Sequence, residues 1–123
     1  MAPPAAAYAH GVEVHAGSRL VFTSGVVPNA SDGTVPNAIG EQAALVWLNI
    51  ASILDEANMG VPDIVSITTY VVATANLAEN LRDVMAARDA ALQGHLAAST
   101  LVTVPALARP EWKMEIAVIA ARS

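Results

Sequence analysis

Hydrophobic and polar residues alternate in two short segments near the start of the chain, residues 12–15 and 20–24. Alternation with a period of two is typical of a β-strand that has one covered face and one exposed face. Turn-forming residues at 16–18 separate the two segments, and this arrangement predicts a β-hairpin. A loop rich in turn formers follows at residues 28–33.

Further along the chain, apolar residues recur at spacings of three and four, which is the period of a helix with one apolar face. The first stretch predicts a helix over residues 39–57, with Gly60 suited to the position just past its C-terminus. The second begins at Asn76 as N-cap, with Glu79 completing a capping box, and ends near residue 94. The stripe positions are Ile39, Ala43, Val46, Trp47, Ile50, Ile53, Leu54 and Ala57 in the first helix, and Leu81, Val84, Met85, Arg88 and Leu92 in the second.

Three more strands are predicted at residues 64–72, 100–104 and 113–120. The first of them is β-branched and nearly continuous, as expected of a central strand covered on much of both faces. The order ββαβαββ predicts a single α+β domain over residues 1–123, with both helices on one face of a mixed sheet. The other face needs cover, and sheets packed into a barrel between subunits would provide it.

Composition supports an oligomer and excludes some classes of function. Charged residues make up 14% of the 123 residues, against about 25% in an ordinary globular domain, so part of the surface is expected to be buried against other copies. An alanine-rich composition is the alternative explanation. The formal net charge of -5 lacks the basic footprint that nucleic acid requires. The absence of Cys and the spacing of the three His residues do not suggest a metal site.

The chain also lacks the sequence signals of membrane proteins and of secretion. Its apolar start has no positively charged region and is too short for a signal peptide. No uninterrupted apolar run approaches the roughly 20 residues needed to span a bilayer. The protein is therefore expected in the cytoplasm, without membrane partners.

Five blocks of the sequence resemble, in the same order, blocks of the Rid (YjgF) family: residues 8–12, 21–28, 63–71, 98–102 and 110–116. The resemblance covers nearly the whole chain. It implies a chorismate-mutase-like fold and a homotrimer with small-molecule clefts between neighbouring subunits. It also implies the usual activity of the founding branch, hydrolysis of reactive enamines and imines to a ketone and ammonia without metal or cofactor.

That reaction needs a guanidinium that grips the substrate carboxylate and a carboxylate that positions water and moves protons. By the resemblance, the guanidinium position falls on Ser99 and the carboxylate position on Ala117, whereas Tyr8, Ser24 and Gly25 are retained. The chain thus departs from the family pattern at both charged positions. An emptier, less charged cleft suits a larger or uncharged ligand.

Three residues are candidates for catalysis. Tyr8 could close the cleft and donate its hydroxyl, or could be an aromatic packed at a chain end. His10 could be a general base near neutral pH, or a surface residue. Glu115 lies two residues before Ala117 on the same strand face, so it could replace the lost acid–base group or pair with a neighbouring Lys or Arg.

The candidate ligand-binding residues are Ser24, Gly25, Ser99, Leu101, Trp112 and Ala117. Ser99 could hydrogen-bond a neutral substrate group, or could pair with backbone at a strand start. Trp112 could line the pocket or pack in the core or an interface. Arg82 and Arg88 lie on the second helix and are expected to form surface or inter-subunit ion pairs, with contact to a ligand as the alternative.

These residues support several functions. The first is a cofactor-free enzyme that uses acid–base chemistry on an imine, enamine or carbonyl-type intermediate, as hydrolysis, tautomerisation or cyclisation, in small-molecule metabolism or a specialised natural-product pathway. The second is a non-catalytic module that binds a metabolite. The third is residual deamination of 2-imino acids. The ribonuclease activity ascribed to some relatives fits the acidic charge less well.

Overall fold

The structure, a computed structural model, describes residues 1–123. Two helices and four strands follow one another in the order βαβαββ. The strands are β1 (Arg19–Phe22), β2 (Ile64–Val72), β3 (Ala98–Val104) and β4 (Met114–Arg122), and the helices are α1 (Ile39–Glu56) and α2 (Leu77–Leu92). One turn of 3₁₀ helix, Val61–Asp63, leads into β2.

The strands form one mixed sheet in the order β1-β4-β2-β3. Strand β4 runs antiparallel to both of its neighbours, and β2 runs parallel to β3. Helix α2 makes the crossover between the two parallel strands, as a connection of this length must. The prediction of an α+β domain with two helices on a mixed sheet is confirmed.

The core lies between the helices and one face of the sheet. In β4 every second residue from Met114 to Ala120 is buried, and Ile67 and Val71 of β2 are buried beside them. Helix α1 contributes the predicted apolar stripe, of which Ile50 and Leu54 are fully buried. The alternation in β4 therefore assigns each residue to the helix-covered face or to the opposite face.

The opposite face of the sheet, which we call the open face, has no cover within the subunit. From the register it carries Phe22, Thr68, Tyr70, Val102, Glu115, Ala117 and Ile119. Phe22 is 67% exposed and Val102 39% exposed. An apolar sheet face of this kind is typical of a surface that another protein chain covers.

The predicted hairpin is wrong. Residues 12–15 form no strand, and β1 pairs instead with β4 at the far end of the chain. Val12 and Val14 are both exposed, so the alternating pattern has no surface against which to bury its apolar side. Four alternating residues therefore do not suffice to form a strand, although β1 is an edge strand with one unpaired side.

Two predicted helix ends also differ. Asn58, with φ of +56°, takes the left-handed position after α1, whereas Gly60 is extended. Asn58 and Met59 donate to Asp55 and Leu54 and so satisfy the last carbonyls of the helix. At α2, Asn76 makes no side-chain cap, so the predicted capping box is absent.

Candidate functional site

Glu115 places a carboxylate on the open face of β4. Its neighbour Ile116 points into the core, and Glu115 itself is half-buried opposite Tyr70 of β2. It forms no ion pair within the subunit, since the one salt bridge joins Arg88 and Asp89. A half-buried carboxylate without a cationic partner remains available to exchange a proton with a ligand.

The Glu115 carboxylate lies directly against the backbone of Gly25. A Cβ at position 25 would collide with Oε2 of Glu115 and would lie 3.0 Å from its Cδ. The close approach exists because the segment after β1 returns to β4, where Val26 and Ile116 form an isolated bridge. Glycine at position 25 is therefore what allows the carboxylate to occupy this place.

Ser24 and Gly25 are exposed and line an open cavity of about 470 Å³. Asn49 and Ile53 of α1 form its opposite wall. The preceding residue, Thr23, accepts a hydrogen bond of 3.0 Å at Oγ1 from the amide of Val118, which fixes this segment on the edge of β4. The retained Ser-Gly pair is thus held in a defined position beside Glu115.

Ala117, two residues along β4 from Glu115, lies on the same open face opposite Thr68. Its methyl group provides no chemistry and fills little volume. A longer side chain at this position would extend over the open face next to Glu115.

A second cavity, of about 370 Å³, contains the other predicted residues Tyr8, Ser99 and Leu101. Ser99 and Leu101 lie opposite Ile67 and Thr69 of β2, on the helix-covered face. Tyr8 is brought beside β3 because Ala9 pairs with Ala98 and donates to the carbonyl of Ala97 at 2.9 Å. We call this space the Tyr8–Ser99 cavity; Ala6, Leu81, Met85 and Arg88 complete its lining.

Arg88 is not a surface residue, so the expectation of a surface ion pair is wrong for it, whereas an inter-subunit ion pair and contact with a ligand stay predictions. It is 5% exposed and lines the Tyr8–Ser99 cavity. Its Nε and Nη2 donate to one oxygen of Asp89, at 3.2 and 3.1 Å. The signal was present in the sequence, because Arg88 occupies the apolar stripe of α2 between Val84 and Leu92. Arg82, by contrast, is exposed.

His10 and Trp112 line neither of these two cavities. His10 is exposed; its ring stands edge-on to Tyr8 at 5.9 Å, and its Nε2 lies 2.8 Å from the carbonyl of Ala2. Trp112 donates from Nε1 to Oδ1 of Asn29 at 3.0 Å and lies outside both cavities. Its indole therefore holds the loop after β1 against the turn before β4.

The two groups of predicted residues do not meet within one subunit. Ser99 and Ala117 lie two strands apart, which corresponds to about 10 Å. Their side chains also point to opposite faces of the sheet, since Ser99 pairs with Ile67 and Ala117 with Thr68. A single site that contains both groups would have to be completed by a second subunit.

Outside these two groups of residues, one carboxyl has a pKa that is clearly shifted. The carboxyl of Asp32 has a pKa below its usual value of 3.8, because Oδ1 accepts hydrogen bonds from the hydroxyl and then the backbone amide of Thr34. This turn lies in the exposed loop before α1 and stabilises the loop alone. No group of three or more His, Cys, Asp or Glu side chains is arranged to hold a metal ion.

The two helices on one mixed sheet place the chain in the class of Rid-type α+β subunits. The family described as Endoribonuclease L-PSP matches residues 1–122, and the chain belongs to this family, which is the Rid (YjgF) family identified from the sequence. The fold prediction is thereby confirmed at the family level as well.

Solved structures of similar proteins include the Rid family protein YyfB of Yersinia pestis and TdcF of Escherichia coli with bound serine. The first superimposes with a TM-score of 0.84 at 28% identity, covering 94% of this chain and 87% of that chain. The second gives 0.73 at 30% identity, covering 96% and 94%.

A curated relative, "Protein MMF1, mitochondrial" of the yeast Saccharomyces cerevisiae, is 33% identical over 81 residues. The alignment covers 64% of this chain and 54% of the yeast protein, so the chain spans about half the length of that relative. None of the helices in the structure combines the length and the apolar character needed to cross a membrane. The cytoplasmic location stays a prediction.

Proposed function

We propose that the protein is a cofactor-free enzyme of small-molecule metabolism that assembles as a homotrimer. It processes an imine, enamine or carbonyl-type intermediate by acid–base catalysis in clefts between subunits. Hydrolysis of an imine to a ketone and ammonia is the reaction that its residues support best. The observation that carries the proposal is the half-buried Glu115 carboxylate, unpaired within the subunit and lying against Gly25.

The chemistry requires one group that takes a proton and returns it. Water adds to the imine carbon, and the Glu115 carboxylate accepts the proton that the water loses. The carboxyl delivers this proton to the nitrogen, which gives the carbinolamine. The carboxylate then takes the hydroxyl proton of the carbinolamine and passes it to the amino nitrogen as the C–N bond breaks, which leaves the ketone and ammonia. One mole of water is consumed, and no electrons are exchanged. Glu115 would thus perform, from two residues earlier on β4, the role for which Ala117 lacks a functional group.

Assembly is needed because the two groups of residues lie on opposite faces of the sheet. If the open face of one subunit packs against a neighbour, the Glu115 group of one copy can approach the Tyr8–Ser99 cavity of another. The exposed Phe22 and Val102 support this packing, since apolar surface gains free energy when it is covered. Membership of the Rid family supports an assembly of three subunits.

The test is ammonia release from short-chain 2-imino acids generated in situ, with Glu115→Gln compared with the wild type. We expect the substitution to lower the rate by about 10²–10⁴-fold, the usual contribution of a general acid–base group. Glu111→Gln is the matched control, because Glu111 is an exposed carboxylate four residues away. Equal rates for the wild type and Glu115→Gln would reject Glu115 as the proton-transfer group.

The second candidate function is a non-catalytic binding module. The combination of Ser99 and Ala117 favours it, because the residues that the family uses for grip and proton transfer are absent at both positions. TdcF of Escherichia coli, which is 30% identical to this chain, has been solved with bound serine, and this supports binding of a small metabolite. Binding of small carboxylates without any turnover by the wild type, together with turnover by Ser99→Arg/Ala117→Glu, would establish this function instead.

A further inference from the structure

We propose that Arg88 is the carboxylate-binding residue of the Tyr8–Ser99 cavity and that it restricts the ligands of this protein to small carboxylates. The guanidinium that the family carries on β3 would thus be supplied here from helix α2. The inference rests on the proposed function for the identity of the cleft, and it narrows the substrate to a carboxylic acid.

The burial of Arg88 is the first observation that points to a ligand. Arg88 is 5% exposed, and a guanidinium remains charged at any pH the protein meets. Burying such a charge is costly unless it is paired and hydrogen-bonded. The apolar stripe of α2 would be better filled at this position by an aliphatic residue if packing were its only role. The position therefore retains a charge that packing alone does not explain.

The guanidinium of Arg88 is only partly paired within the subunit. Asp89, the only ion-pair partner of Arg88, offers a single oxygen to Nε and Nη2 and is itself 54% exposed. Nη1 has no hydrogen-bond partner within the subunit. A planar guanidinium that lacks a partner on one side presents donors to an incoming acceptor.

The residues around Arg88 are also suited to a small ligand. The Tyr8–Ser99 cavity is lined by Arg88, Tyr8 and Ser99, each of which carries a polar group, and its other lining residues are apolar. Apolar walls lower the local dielectric constant and strengthen a charge-assisted hydrogen bond. A few polar groups that converge in an otherwise apolar cavity of about 370 Å³ are typical of a small-ligand site.

The charge balance selects the ligand class. Arg88 is the one cationic residue that lines the cavity, so it can balance a single negative charge, whereas the second charge of a phosphate dianion would lack a partner there. A monoanionic carboxylate matches the planar guanidinium and can also accept from the two hydroxyl groups. Ser99 is small enough to leave Arg88 access, whereas a long side chain at position 99 would fill the same space.

The experiment measures binding separately from turnover. Calorimetric titration of the assembled protein with 2-oxobutanoate, its uncharged amide and inorganic phosphate gives the preference of the wild type for a carboxylate. We expect the carboxylate to bind at least about tenfold more tightly than the amide, and phosphate to bind more weakly than the carboxylate. No saturable binding of 2-oxobutanoate, or equal affinity for acid and amide, would overturn the proposal.

Three variants then assign the preference to Arg88. Arg88→Gln should remove it, and Arg82→Gln, an exposed arginine on the same helix, should leave it unchanged. In the double variant Arg88→Gln/Ser99→Arg the preference should return, because a guanidinium again faces the cavity, now from β3. A merely structural role for Arg88 would not be rescued in this way.

Two further outcomes keep the test decisive. If Arg88→Gln does not fold, Arg88→Lys should fold with its charge intact and bind the carboxylate about three- to tenfold more weakly, since an ammonium cannot form the bidentate fork. Loss of the trimer in Arg88→Gln, together with wild-type carboxylate affinity in Arg88→Lys, would overturn the proposal in favour of an inter-subunit ion pair.

Failure of this inference and failure of the proposed function give different results. Carboxylate binding that depends on Arg88, without ammonia release by the wild type, would reject the enzyme and retain the assignment of Arg88. Ammonia release that depends on Glu115, with no effect of Arg88→Gln on carboxylate preference, would do the reverse.

Discussion

At the scale of single residues, Gly25 and Glu115 offer a way to move the carboxylate without removing it. An added methyl group at position 25 would meet the far end of a flexible side chain, and the backbone of Gly25 has no left-handed φ. We therefore expect Gly25→Ala to fold with a change of less than about 1 kcal/mol in its free energy of unfolding. The displaced carboxylate should lower turnover at least about tenfold.

Parallel thermal unfolding and ammonia-release assays check this prediction. Gly11→Ala is the control, because a Cβ there has nothing within 4 Å. If Gly25→Ala retains full activity, the position of Glu115 against Gly25 has no catalytic importance. If it unfolds, the contact between residue 25 and Glu115 is more rigid than the geometry indicates.

Arg88 shows how far the candidate site can be predicted from the sequence. The resemblance assigned both Tyr8 and Ser99 to the ligand site, and in the structure the two residues line one cavity. It could not indicate Arg88, because a guanidinium arriving from another element is not recorded at the aligned position. The helical period did place Arg88 in the apolar stripe, and an arginine among buried positions is the one signal that a sequence provides for such a case.

At the scale of secondary structure, Gln42 connects α1 to two chain segments. Its Nε2 donates to the carbonyls of Pro36 and Glu111 at 2.8 and 2.9 Å, and its Oε1 accepts from the amide of Lys113 at 2.9 Å. Gln42 is fully buried, so Gln42→Ala leaves these groups without partners. We expect the free energy of unfolding to fall by about 2–4 kcal/mol.

Urea unfolding monitored by circular dichroism measures the effect of Gln42→Ala. The exposed neighbour Glu41 provides the control, since Glu41→Ala removes a side chain of similar length from the same helix and should cost less than about 1 kcal/mol. Similar losses for the two variants would mean that water replaces the Gln42 amide at little cost.

The elements themselves were predicted well wherever the pattern was long. Residues 39–57 and 64–72 closely match α1 and β2, because a buried stripe and a β-branched run each extend over several turns or pairs. The prediction of a strand at residues 12–15 is wrong because four alternating residues carry no information about a pairing partner. The partner of β1 lies about 100 residues away in β4, and that separation is invisible to local periodicity.

At the scale of the whole molecule, the open face predicts the assembly. Phe22 on this face and Leu48 on α1 are equally exposed, at 67% each. They therefore form a matched pair for Phe22→Glu and Leu48→Glu. We expect the wild type and Leu48→Glu to have three times the subunit mass of 12.7 kDa by light scattering, and Phe22→Glu to shift toward the monomer and lose ammonia release. A trimeric Phe22→Glu would show that subunits meet elsewhere.

The bridge between Ala9 and Ala98 has a consequence for the dynamics of the Tyr8–Ser99 cavity. The bond from Ala9 to Ala97 is the single backbone hydrogen bond that ties residues 1–10 to the rest of the subunit. Local opening of this segment therefore breaks one hydrogen bond, whereas opening of β2 breaks two strand pairings. In hydrogen exchange, the amide of Ala9 should exchange long before that of Val71, and a ligand that contacts Tyr8 should slow Ala9 selectively. We therefore expect the segment that carries Tyr8 to open while the sheet stays intact, so that a ligand enters the cavity without unfolding of the core.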